Sequence, residues 1–177
     1  LIAWINYRGV QIAMTVQVVL TALLVGCTLL FVGAGITQGS FENLNPLFSG
    51  ETPSASFKGF LAVFVMAPFW FVGFDTIPQA AEERAPGQSV SKLGLYIVLA
   101  IVGSTLFYIL IMLAAGMVAP WSETVKHDLP TAAAFESAFE SQIMVKLVLS
   151  AGVIGLLTSW NGFFIAGTRV LFALGRG

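Results

Sequence analysis

Four stretches of the sequence, roughly Val10–Ile36, Phe57–Ala81, Leu93–Ala119 and Ile143–Leu174, are each longer than the about 20 mainly apolar residues that carry a helix across a bilayer. The first and third hold no charged residue, the second holds Lys58 at its mouth and Asp75 inside, and the fourth holds Lys146 and Arg169 near its ends. The pattern predicts an all-α polytopic membrane protein with four spans. Leu1–Ile5 reads as the tail of an earlier one. Because the chain starts inside one apolar stretch and stops just after another, it is expected to be a fragment, 1–177, of a longer transmembrane domain. None of the stretches is a signal peptide, since each is too long and no basic region opens the chain. Composition agrees. Charged residues make up 10% of the chain against about 25% in soluble domains. The net charge of −1 offers no basic excess to neutralise phosphates, which excludes nucleic acid as a main partner. One cysteine, Cys27, and one histidine, His127, exclude a disulfide framework, a thiolate cluster and a histidine metal centre.

The connecting segments set an expected orientation. Thr37–Ser56 is polar, Gly/Pro/Ser-rich and acidic; Glu82–Lys92 is short and mixed; Pro120–Gln142 is acidic, with helical propensity over Ala132–Phe139. Arg8, Arg84, Lys92, Arg169 and Arg176 fall on one side of the spans. Lys58, Lys126 and Lys146 fall on the other with Glu42, Glu51, Glu123, Asp128, Glu136 and Glu140. The positive-inside rule puts the arginine-rich side in the cytoplasm, so the spans would run outward, inward, outward and inward. No internal repeat is visible.

Met66–Glu83, MAPFWFVGFDTIPQAAEE, places Pro68, Gly73, Asp75 and Pro78 within one span. Proline removes an N–H and clashes with the preceding turn, glycine loosens the backbone, and an ionisable side chain at this depth is costly unless paired or wet. Non-helical backbone persists in a membrane only where protein or a water-filled cavity satisfies it. Thr76-Ile77-Pro78-Gln79 has a capping-box spacing that would restart the helix and set Asp75 and Thr76 at its positive end. Broken helices of this kind hold substrate and coupling ions in secondary transporters. The competing reading is a proline-kinked structural helix capped by Asp75.

At these residues the sequence resembles the amino acid–polyamine–organocation permeases. The resemblance is carried by Asn6-Tyr7-Arg8-Gly9-Val10, Phe71-Val72-Gly73-Phe74-Asp75, Glu82-Glu83 and the Arg169–Gly177 ending, in order across nearly the whole chain. It implies a fold of ten core spans in two inverted five-helix repeats with a discontinuous helix, of which this chain covers about the fifth to eighth spans. It implies secondary active transport of amino acids or related organic amines by alternating access, in partnership with the lipid bilayer and the remaining spans, in the cell membrane (inner or plasma). Carried over residue by residue, Phe71, Val72, Gly73, Phe74, Asp75 and Thr76 would offer backbone and walls to the substrate, Phe69 an aromatic gate with Trp70 beside it, and Phe163 a facing wall. Packing is the competing role for each aromatic.

Some relatives place a lysine in the first of these spans, near Leu24 here, but Val10–Ile36 contains none. Thr158 and Ser159 match two hydroxyl ligands of sodium-coupled relatives, and oxygen donors suit a hard cation; bonding within their own helix is the alternative. The expectation is cation-coupled symport, by a sodium ion at Thr158 and Ser159 or by a proton on Asp75, with no other cofactor. Glu82, Glu83 and Arg84 form either an inner gate or a solvated helix end. Gly152, Gly155, Gly162 and Gly167 offer small faces for close helix approach, and Asn161 an interhelical hydrogen bond. An enzyme is not expected, because no histidine lies in a span and only Asp75 ionises deep within one. The alternative function is a helical membrane scaffold or sensor that does not transport.

Overall fold

A helix apolar on all sides can be stable only where its whole surface is covered or meets lipid. The computed structural model, which describes residues 2–48, 52–74, 76–79, 89 and 91–176, has such helices as its longer elements, joined by shorter and more polar ones. In chain order they are α1 (Ile2–Tyr7), α2 (Val10–Gln38), a 3-10 turn (Phe41–Leu44), α3 (Pro53–Trp70), α4 (Thr76–Gln79), α5 (Ser91–Val118), α6 (Trp121–Thr124), α7 (Pro130–Phe139) and α8 (Gln142–Arg176). The described residues contain no strand, and the protein is all-α.

Three helices, Gln11–Gln38, Ser91–Val118 and Gln142–Arg176, are long and apolar enough to cross a membrane. At 1.5 Å per residue they run about 42 Å, 42 Å and 52 Å, beyond the about 30 Å of hydrocarbon. α2 and α5 carry no acidic or basic residue in their first and last turns, respectively, and show almost no polar face. Thr15, Thr37 and Thr105 are satisfied within their helices: they donate to the carbonyls of Gln11, Gly33 and Ile101, so each enters an apolar helix without an open donor.

The chain divides into two compact units. The first comprises Leu1–Val25, Val72–Thr105 and Ala151–Gly177; the second comprises Gly26–Phe71 and Leu106–Ser150. Among the described residues, Arg8, Lys92, Arg169 and Arg176 belong to the first, and Lys58, Lys126 and Lys146 belong to the second with Glu42, Glu123, Asp128, Glu136 and Glu140.

The second unit is built on glycine contacts and one buried aromatic. A Cβ on Gly35 would lie 2.7 Å from Ala114 Cβ, and one on Gly39 would lie 2.6 Å from Met117 Cβ, so the Gly35–Gly39 spacing lets α2 and α5 meet backbone to backbone. The segment after α2 then caps α5: Ser40 N–H and Asn43 Nδ2 both donate to the Met117 carbonyl, at 2.9 and 2.7 Å, answering the open acceptors of a helix end. The helical propensity over Ala132–Phe139 materialises as α7. It starts on Pro130, where proline costs least, and ends at Glu140 in a left-handed conformation, φ 46°. Phe135 of α7 is 1% exposed. It sits 4.0 Å from the Phe31 ring and stacks at 5.7 Å on Phe139, over Val118, Ala119 and Ala134.

The first unit is organised by a polar side chain. Asn161 on α8 is 1% exposed. Its Oδ1 accepts from Asn6 Nδ2 at 2.9 Å, and its Nδ2 donates to Ala13 O at 3.2 Å and Gln17 Oε1 at 2.9 Å. One amide thus joins α8 to α1 and α2 on both sides of Gly9, whose φ of 124° makes the elbow between them. The interhelical hydrogen bond expected of Asn161 is present threefold. Of the α8 glycines, a Cβ on Gly155 would meet only Leu24, at 3.9 Å, and on Gly152, Gly162 and Gly167 nothing within 4 Å. The close approach lies instead at Gly35 and Gly39.

Candidate functional site

α3 begins with a Thr52 N-cap, whose hydroxyl accepts from Ala55 N–H at 3.3 Å, and with Pro53 in its first turn. It ends at Trp70, two residues after Pro68. Pro68 has no N–H for the preceding turn, and the last bond tightens to three residues, Phe71 N–H to Pro68 O at 3.2 Å. Residues 71–74 form a turn. Gly73 has φ 124°, a conformation that strains any residue with a Cβ. Its carbonyl accepts from Thr76 N–H at 3.1 Å and from Thr76 Oγ1 at 2.7 Å, and Thr76 is the first residue of α4. Apolar residues alone would have continued α3; Pro68 and Gly73 stop it.

Phe69 is 74% exposed, and Trp70, Val72 and Phe74 are also exposed, while Phe71, Gly73 and Thr76 are half-buried. The Phe69 and Trp70 rings meet edge to face at 6.2 Å. Phe69 and Phe71 belong to the second unit; Val72, Gly73, Phe74 and Thr76 belong to the first, with Thr158, Ser159 and Phe163 of α8. Asp75, Glu82, Glu83 and Arg84 lie outside the described residues.

Thr158 is half-buried and donates to its own helix at Ile154 O, 2.7 Å. Thr15, Thr37, Thr105 and Thr168 bond in the same way, so this bond does not set Thr158 apart. It leaves the oxygen lone pairs, the groups a hard cation uses. Ser159 and Phe163 are exposed. Hydroxyl oxygen is a donor type that a hard cation accepts.

Tyr108 of α5 was not among the residues the sequence marked out. Its hydroxyl donates to the carbonyl of Trp70 at 2.8 Å, and its ring stands edge to face on Phe71 at 5.5 Å and 82°. The available signal was a tyrosine in mid-span, since a phenolic hydroxyl in an apolar setting seeks a partner; which partner depends on the helix pairing.

A break of this composition between apolar helices is where the chain can be compared with known proteins. The family profile described as amino acid permease matches residues 1–177. The chain belongs to the amino acid permease family. It is similar to a branched-chain amino acid permease of Lactococcus lactis subsp. cremoris, 26% identical over 98% of the chain and 37% of that protein. A vacuolar cationic amino acid transporter of Arabidopsis thaliana is 29% identical over 95% of the chain and 28% of its own length. The general amino-acid permease of Saccharomyces cerevisiae is 38% identical over 50% of the chain and 14% of its own length. No solved structure matches the chain. The chain thus spans about a third of the length of the first two of these relatives. As a permease-family chain it is membrane-integral, and the family's members are transporters rather than enzymes.

Proposed function

We propose that the full-length protein is a secondary transporter of amino acids or related organic amines, working by alternating access in the cell membrane. The observation that carries this reading is the interruption between Trp70 and Thr76 in a chain matched along its whole length by the amino acid permease family. Residues 71–74 form a turn outside regular helix, and discontinuous helices hold substrate in transporters of this kind. In this reading Phe71, Val72, Gly73 and Thr76 present backbone to the charged ends of the substrate, Asp75 adds the intramembrane charge, and Phe69, Phe74 and Phe163 wall the pocket. The remaining spans complete the site, within an inverted-repeat fold whose spans in this chain are about 10–36, 57–81, 93–119 and 143–174. The relatives' names support the substrate class: branched-chain and cationic amino acids.

Coupling is to a cation, sodium at Thr158 and Ser159 or a proton on Asp75. Uptake of labelled leucine, lysine and putrescine into proteoliposomes of the full-length protein, with and without sodium or proton gradients, tests both parts. The reading expects gradient-driven accumulation of at least one probe. Accumulation that is unchanged when choline replaces sodium would remove the sodium site. Asp75→Asn should abolish or uncouple transport with expression intact; wild-type uptake by that variant would remove Asp75 from the mechanism.

A further inference from the structure

We propose that Tyr108 is a positioning residue for transport: from the continuous helix α5 it clamps the broken end of α3 and so fixes where the substrate-binding turn begins. The proposal rests on the transporter reading above. The last carbonyls of a helix have no partner within it, and in hydrocarbon such a group must find one. At the end of α3 the Tyr108 hydroxyl supplies it, donating to Trp70 O at 2.8 Å. The same side chain packs its ring edge to face on Phe71 at 5.5 Å, the next residue and the C-cap of α3. Two consecutive residues, at the point where regular backbone stops, are thus held by one side chain.

The anchor is a regular helix. α5 runs unbroken from Ser91 to Val118, and the neighbouring Phe107 ring stands against Tyr108 at 5.9 Å. Binding geometry is most accurate when regular elements, rather than loops, support it. The turn from Phe71 to Phe74 has local supports at both ends, the Phe71–Pro68 bond at one and the Thr76–Gly73 and Ile77–Phe74 bonds at the other. Tyr108 adds the support that comes from outside the broken helix. Losing the hydroxyl alone should free the turn without unpacking the Phe71 ring.

The test compares wild type, Tyr108→Phe, Tyr108→Leu and, as a control on the same helix, Tyr96→Phe, in the full-length protein in nanodiscs and proteoliposomes. Hydrogen exchange is followed over residues 66–74 and, for reference, over 130–139. Uptake of labelled leucine, lysine and putrescine gives KM and kcat. Tyr108→Phe should speed exchange over 66–74 only, and raise KM about three- to tenfold, the range of one neutral hydrogen bond, with kcat within about twofold. Tyr108→Leu should exceed it in both, and Tyr96→Phe should match wild type. Unchanged exchange over 66–74 in Tyr108→Phe overturns the clamp, and faster exchange with unchanged KM overturns its positioning role. Should the wild type take up none of the probes, the transporter reading fails on its own, and exchange over 66–74 still decides the clamp.

Discussion

At the scale of single residues, the backbone conformation of Gly73 is what makes the break between α3 and α4. Its φ of 124° would cost a residue with a Cβ about 1–3 kcal/mol, and space is not the issue, because a Cβ there would meet nothing within 4 Å. Gly73→Ala should therefore lower the thermal unfolding temperature of the full-length protein in detergent and reduce uptake. Gly152→Ala is the matched contrast: it too has open space, but it lies within α8, where alanine favours the helix by about 1 kcal/mol. That variant should unfold at or slightly above the wild-type temperature. Equal losses in both would mean that the positive φ at residue 73 is not the constraint. The Lys126–Glu123 pair, at 2.9 Å and about two-thirds exposed on both sides, illustrates the opposite case. An exposed pair three residues apart contributes little.

At the scale of elements, two contacts of different chemistry hold the helices. The α2–α5 contact depends on having no side chain at Gly35. Gly35→Ala would drive a methyl to 2.7 Å from Ala114 Cβ, and overpacking of this kind costs about 1–3 kcal/mol. Detergent unfolding should show that loss, and Ala114→Gly should not restore it, because the Cα and O of residue 114 would still lie 2.8 and 3.0 Å from the added methyl. The α8 contact depends on Asn161. Asn161→Ala deprives Asn6, Ala13 O and Gln17 of their shared partner, for an expected cost of about 1–3 kcal/mol. A double-mutant cycle with Asn6→Ala should give a coupling of about 0.6–1.7 kcal/mol, the range for hydrogen bonds between membrane helices. Zero coupling would mean that the two amides do not act together. Asn161 could be singled out in the sequence because an amide in mid-span demands partners. Asn6 and Gln17 could not be assigned to it, since they lie 155 and 144 positions away and only helix packing pairs them.

At the scale of the whole molecule, charge sorts the chain. Among the described residues, Arg8, Lys92, Arg169 and Arg176, expected in the cytoplasm, belong to the first unit, and the three opposite lysines with Glu42, Glu123, Asp128, Glu136 and Glu140 to the second. In cells expressing the full-length protein without its native cysteines, a single cysteine at Lys126 should react with a membrane-impermeant maleimide added outside. One at Lys92 should react only after permeabilisation. The reverse pattern would invert the orientation. Both positions are exposed, so labelling reports sidedness rather than burial.

The sequence by itself determined the class of this protein. Long uncharged stretches can only be membrane helices, because no other backbone satisfies itself within one segment in lipid. Pro68 and Gly73 likewise announced a break, since each acts on its own backbone. Tertiary structure decided what holds these pieces. Gly35 and Gly39, rather than the glycines of α8, carry the close helix contact, and Tyr108 secures the end of α3. Local chemistry fixes φ, ψ and the need for a partner. Which partner answers depends on the rotation and register of packed helices, which the residue pattern of a helix apolar on every side does not encode.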